Sequence, residues 1–137
     1  MRNKERLIAQ EYSQIEEIDY EETFAPATIL ESIRILLAIT CSLRIKLYQM
    51  DVKSTFLNGI LSEEVYVEQP KGFEDPKFPN PIYRLKKALY GLKQAPRAWY
   101  ERLTTYLLEK KFERGGVDRT LFINRSNDEL LVAQILF

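Results

Sequence analysis

The 137-residue sequence contains no histidine. That excludes histidine general bases, Ser-His-Asp triads and zinc sites that need an imidazole. It contains one cysteine, Cys41, so no internal disulfide can form, and an intracellular compartment, cytoplasmic or nucleus-associated rather than secreted, is the expectation. Long apolar runs are missing too. Stretches such as Ile35-Leu36-Leu37-Ala38-Ile39 are far too short to span a bilayer, so no membrane partner is expected. The N-terminal Met1-Arg2-Asn3-Lys4-Glu5-Arg6 has no apolar signal core behind it. Net charge is absent as well, with 20 basic and 20 acidic residues.

What is present is globular. Hydrophobic residues make up 45% and charged residues 29%, and the length suits a single domain over residues 1–137. The neutral total hides an uneven distribution. Residues 1–28 carry three basic and seven acidic side chains, whereas residues 82–115 carry nine basic and three acidic. The second stretch is where a polyanion would bind, although a solvated charged face is the commoner meaning of such a bias.

Periodicity outlines the elements. Arg6 to Ala9 suggests a short strand, and 14–26 reads as an acidic loop. Thr28-Ile29-Leu30-Glu31 is a capping-box pattern ahead of a helix whose apolar stripe is Ile29, Ile33, Leu36, Leu37, Thr40 and Cys41. Cys41 on that stripe is expected in the core. Alternation over Ile45, Leu47 and Gln49 predicts a strand with Asp51 at its C-terminal end. Val65-Tyr66-Val67 and Ile82 to Leu85 read as strands, joined by a connection with four prolines and one glycine. Pro96 suits the first turn of a helix presenting Trp99, Leu103, Tyr106 and Leu107 on one face and ended by Gly115-Gly116. Leu121 to Ile123 and Leu130 to Ala133 flank a polar tip and predict a β-hairpin, its second strand apolar enough to be buried on both faces. The expected fold class is α+β, a mixed or antiparallel sheet with helices packed on one face.

Two blocks are too particular for a generic domain. One is Gln49-Met50-Asp51-Val52-Lys53-Ser54-Thr55-Phe56-Leu57-Asn58-Gly59. The other is Leu89-Tyr90-Gly91-Leu92-Lys93-Gln94-Ala95-Pro96-Arg97-Ala98-Trp99-Tyr100. Their order and spacing resemble the reverse transcriptase of copia-type retrotransposons. The resemblance runs from Lys4 to Ile135 and implies the fingers and first part of the palm of a right-hand polymerase.

The same resemblance assigns roles. Asp51 would be a catalytic carboxylate and, with the backbone carbonyl of Val52, a ligand for Mg²⁺ or Mn²⁺. Hard divalent ions take oxygen donors, and nucleotidyl transfer in this class uses two of them. A lone aspartate after a strand ordinarily caps a turn, and only its motif argues otherwise. Phe56 would lie under the sugar of the incoming nucleotide and exclude a ribose 2′-hydroxyl; an aromatic core residue is the plainer alternative. Gly91 would let backbone approach the nucleotide. Arg6, in Lys4-Glu5-Arg6-Leu7-Ile8-Ala9, would hold the triphosphate, against the family's usual alanine at Glu5 and glycine at Glu11. Lys86, Lys87, Lys93, Arg97 and Arg102 would meet phosphates of an RNA or DNA template-primer. Asp118 is expected in a turn or cap.

In the family the last strand continues into Tyr-Val-Asp-Asp. Leu136-Phe137 stand at the Tyr-Val positions, so the resemblance implies that the aspartate pair lies outside these 137 residues and that they would not polymerise dNTPs alone. The competing expectation is a non-catalytic remnant of such an element, at most a weak nucleic-acid-binding module.

Overall fold

The computed structural model describes residues 8–9, 14–18, 20, 22–79, 82–126 and 129–136. Among them are two helices and five strands: α1 (Leu30–Ser42), β1 (Tyr66–Glu68), β2 (Ile82–Arg84), α2 (Ala95–Glu109), β3 (Glu113–Arg114), β4 (Leu121–Ser126) and β5 (Glu129–Gln134). The class is α+β, as the patterning predicts. The strands form two antiparallel sheets, however, not one: β1-β2 and β3-β4-β5.

The chain divides into two compact units, Met1–Phe24 with Ser54–Arg102, and Ala25–Lys53 with Leu103–Phe137. In the first, β1 and β2 pair with Tyr66 opposite Arg84 and Glu68 opposite Ile82. The Leu85 N–H donates to Val65 O at 2.8 Å just beyond the ladder. Gln69 closes the connection between the strands. Its amide donates to Phe78 O at 3.1 Å, and its oxygen accepts from Asp75 N at 2.7 Å. The core of this unit is Val65, Ala88, Leu92, Ala95 and Ala98, with Ala9, Phe56, Leu61, Leu85 and Leu89 packed around it. Small side chains dominate it, so backbones come close.

In the second unit β4 and β5 form the expected hairpin, registered from Leu121 opposite Gln134 to Ser126 opposite Glu129. Phe122 is its fully buried anchor. The burial expected for β5 is not found: Leu130, Leu131 and Val132 are exposed, and only Ile135 just beyond the strand is buried.

Four further expectations need correction. Thr28 does not cap α1. Ile29 is the N-cap, with no side-chain bond, and the Thr28 hydroxyl donates instead to Ile135 O at 2.7 Å. Cys41 is exposed, because the half-buried face of α1 runs through Ser32, Ile33, Leu36 and Thr40, one residue short of it. Residues 45–49 join no sheet. Gly115-Gly116 do not end α2, which stops at Glu109.

Both helices end the same way. After α1, Arg44 (φ 53) directs Ile45 N–H to Thr40 O at 2.9 Å and its own N–H to Cys41 O at 3.3 Å. After α2, Lys111 (φ 65) directs Phe112 N–H to Leu107 O and its own N–H to Leu108 O, both at 3.0 Å. These are Schellman ends with a cation in the left-handed position usually held by glycine. The positive charge beside the helix C-terminus offsets part of the roughly 1 kcal/mol that this conformation costs a residue with a Cβ.

Candidate functional site

Ser54 begins the local structure that presents Phe56. Its φ is 55, and its carbonyl accepts from Leu57 N at 3.1 Å and from the Asn58 side chain at 3.1 Å. Asn58 N–H then bonds Thr55 O and Gly59 N–H bonds Phe56 O, which closes a short 3-10 turn over Phe56–Asn58. A non-glycine residue at positive φ is backbone strain held in place by its surroundings. Here Leu57 and Asn58 hold the Ser54 carbonyl, and the turn they form packs on the second motif through Phe56 and Gly59.

The two blocks meet at Gly59. Its carbonyl accepts from Ala88 N at 2.9 Å, and Ile60 bridges Lys87. A Cβ on Gly59 would lie 2.9 Å from Trp99 N and 3.0 Å from the Ala98 backbone, so only glycine lets this turn rest on the start of α2. Phe56 and Tyr90 make an edge-to-face pair with centroids 5.4 Å apart and planes at 64°. Both rings are half-buried.

Gly91 (φ 88) follows. A Cβ there would overlap the Ala9 carbonyl, so the close approach it permits is that of Ala9. Ile8 bridges Tyr90 in parallel, and Ala9 N–H donates to Tyr90 O at 2.8 Å.

The cations of the second motif are held within their unit. Lys93 Nζ donates to the Tyr20 hydroxyl at 3.0 Å and stands 5.0 Å from that ring's centroid. Its backbone N–H donates to Gln14, whose amide in turn donates to the buried Gln94, both at 3.1 Å. Arg97 pairs with Glu101 at 2.9 Å and with Glu22 at 3.1 Å, and it also donates to Glu22 O. The hydrogen bond to Glu101 pushes the Arg97 pKa further up, so the guanidinium stays charged. Lys86, Lys87 and Arg102 are exposed. Arg6 lies outside the described residues.

Asp51 and Val52 fall in the second unit, on an exposed segment outside any helix or strand. Asp51 therefore does not end a strand, contrary to the alternation of Ile45, Leu47 and Gln49. An exposed carboxylate with an adjacent backbone carbonyl suits a hard divalent ion, but among the described residues no group of three metal-binding side chains occurs.

Asp118 is buried at the start of β4. It accepts from Thr120 N at 2.9 Å, from the Thr120 hydroxyl and from Gln134 at 3.4 Å. Burial pushes its carboxyl up. The bonds from Thr120, Ser32 and Gln134 outweigh that and hold it below the ordinary aspartate value. It organises a turn, as its sequence context suggests.

Sequence reasoning missed Gly59, Tyr90, Gln14 and Tyr20. Gly59 and Tyr90 lie inside the quoted blocks, but nothing in spacing says which motif residue packs on which. Gln14 and Tyr20 sit in a stretch that reads as acidic loop.

A family model for reverse transcriptase (RNA-dependent DNA polymerase) matches residues 1–136. The retrovirus-related Pol polyprotein from transposon RE2 of Arabidopsis thaliana is 48% identical over 122 residues, covering 89% of this chain and 8% of its own length. That from transposon RE1 of the same plant is 47% identical with the same coverage. The Pol polyprotein from transposon TNT 1-94 of Nicotiana tabacum is 36% identical over all 137 residues, which are 10% of its length. The chain thus spans a tenth or less of these relatives. No solved structure matches it.

Proposed function

Because the chain belongs to the reverse transcriptase (RNA-dependent DNA polymerase) family, we propose that it contributes the fingers and first part of the palm to a right-hand polymerase of a copia-type Pol polyprotein. The family implies a nucleic-acid template, deoxynucleotide substrates and dependence on a divalent metal. The observation that carries the reading is the packing of one motif on the other: the Phe56–Gly59 turn rests on Tyr90–Trp99 through a ring pair and a close approach at Gly59 that a Cβ would block.

In this reading Asp51 and the Val52 carbonyl supply oxygen donors to Mg²⁺ or Mn²⁺, with nucleotide phosphates and water completing the shell. The bound ions would lower the pKa of the attacking hydroxyl and offset charge on the transferring phosphate. Phe56 faces the sugar and favours deoxynucleotides by exclusion. Arg6 holds the triphosphate. Lys86, Lys87 and Arg102 meet template or primer phosphates. Lys93 contributes positive field there while bonded to the neutral Tyr20 hydroxyl, whereas Arg97 would meet a phosphate by exchanging it for Glu22 or Glu101. Gly91 serves the nucleotide site through the backbone of Tyr90.

The test replaces the corresponding segment of the tobacco polyprotein with residues 1–136. The chimera should extend a DNA primer on an RNA template with dNTPs and a divalent metal, measured against the parent polyprotein. A folded chimera that binds nucleic acid but copies no RNA would instead support a non-catalytic remnant.

A further inference from the structure

Phe56 sits on a turn too short to fix its own ring. The 3-10 segment spans only Phe56–Asn58 and lies in no sheet, so χ1 and χ2 of Phe56 depend on what packs against the ring. Tyr90 supplies the aromatic contact, edge to face at 5.4 Å, beside the apolar core of Val65, Ala88, Leu92, Ala95 and Ala98 on which Phe56 also packs. The backbone of Tyr90 is itself held in place. Its carbonyl accepts from Ala9 N at 2.8 Å, it bridges Ile8, and the next residue, Gly91, adopts a φ of 88 that leaves room for the Ala9 carbonyl. A continuous series of contacts thus runs from the Ile8–Ala9 segment through Tyr90 to Phe56, all within one compact unit.

We propose that Tyr90 is a positioning residue for sugar discrimination, setting the orientation of the Phe56 ring that excludes the ribose 2′-hydroxyl. The inference rests on the reading of Phe56 given above. Exclusion of one hydroxyl by one ring is a matter of tenths of an ångström, so a ring free to tilt admits the larger sugar. Tyr90 acts through Phe56 and need not touch the nucleotide. The ring and not the hydroxyl is the working part, because the contact is between aromatic faces and edges.

The experiment compares ribonucleotide and deoxynucleotide incorporation efficiency in the active chimera for Phe56→Ala, Tyr90→Leu, Tyr90→Phe and the Phe56→Ala/Tyr90→Leu double variant. Tyr90→Leu should raise the ribo-to-deoxy ratio about three- to tenfold, the scale one aromatic pair can supply. Tyr90→Phe should keep the parent ratio. The double variant should match Phe56→Ala alone, because the two residues act in series. General loss of fold would lower both incorporations in parallel and leave the ratio alone. A shifted ratio in Phe56→Ala with none in Tyr90→Leu overturns the role of Tyr90 and leaves Phe56 as the discriminating ring. A double variant whose effect is the product of the two singles overturns it too, since Tyr90 would then contact the nucleotide independently. No shift in Phe56→Ala overturns the assignment of Phe56 itself.

Discussion

Helix α1 is built mostly of leucine, isoleucine and alanine, yet none of its residues is fully buried. Helix α2 is interrupted by Arg97, Glu101 and Arg102, yet Ala95, Ala98, Trp99, Tyr100 and Thr104 are all buried. The difference lies in close approach. The small side chain of Ala98 lets the Gly59 turn come against the helix backbone at Ala98 and Trp99, and Ala95 joins Ala98 in the core. In α1 Ile35, Leu37 and Ile39 are exposed. Apolar content marks what can be buried; small residues facing a glycine mark what is.

The sharpest way to break this comparison is to truncate one side chain from each helix of the 137-residue chain. Trp99→Ala should cost about 3–5 kcal/mol. Ile35→Ala, at a position 60% exposed, should stay within about 0.5 kcal/mol. Urea denaturation reads both, and equal costs would mean that α1 is packed as tightly as α2.

A finer version uses glycines. Gly59→Ala forces a Cβ against Trp99 N and should cost about 1–3 kcal/mol. Gly116→Ala, with nothing within 4 Å of the added Cβ, should be neutral within about 0.5 kcal/mol. Thermal melts of the two variants separate close approach from the general effect of losing a glycine.

Asp118 extends the comparison to polar burial. Its folded pKa lies below the unfolded value of about 3.9, so its contribution is fully present above that value. It is lost as pH falls through the lower folded value. Asp118→Asn should therefore flatten stability against pH in the acid range and cost about 1–2 kcal/mol at neutral pH. Denaturant midpoints from pH 2 to 7 for both proteins measure this. A small effect is expected at Arg97. Its partner Glu22 is largely exposed, so Glu22→Gln should cost under about 1 kcal/mol and less still in high salt.

Much of this was legible in the sequence. The β4-β5 hairpin, β1, β2, α2 with Pro96 in its first turn and the turn role of Asp118 all follow from periodicity and turn chemistry. The helix ends were not, because Arg44 and Lys111 take the left-handed position without the glycine that signals it. The capping box failed because Thr28 found a partner more than a hundred residues away, which no local pattern contains. Residues 45–49 alternate like a strand but join no sheet among the described residues, since alternation reports the option of a sheet and not its presence. At the candidate site the motifs named Asp51 and Phe56. They could not show that Tyr90 packs on Phe56, because that contact depends on how the blocks pack.

Under the proposed function Asp51 serves chemistry and not the fold, whereas the Gly59 junction serves the fold. Asp51→Asn in the active chimera tests it most directly, with RNA-templated dNTP incorporation and a thermal melt on the same preparation. Activity should fall about a thousandfold or more, the scale of a lost metal ligand or charge-stabilising group. The Tm should stay within about 2 °C of the parent, since exposed substitutions seldom exceed about 0.5 kcal/mol. An Asp51→Asn chimera that still copies RNA at the parent rate would contradict it.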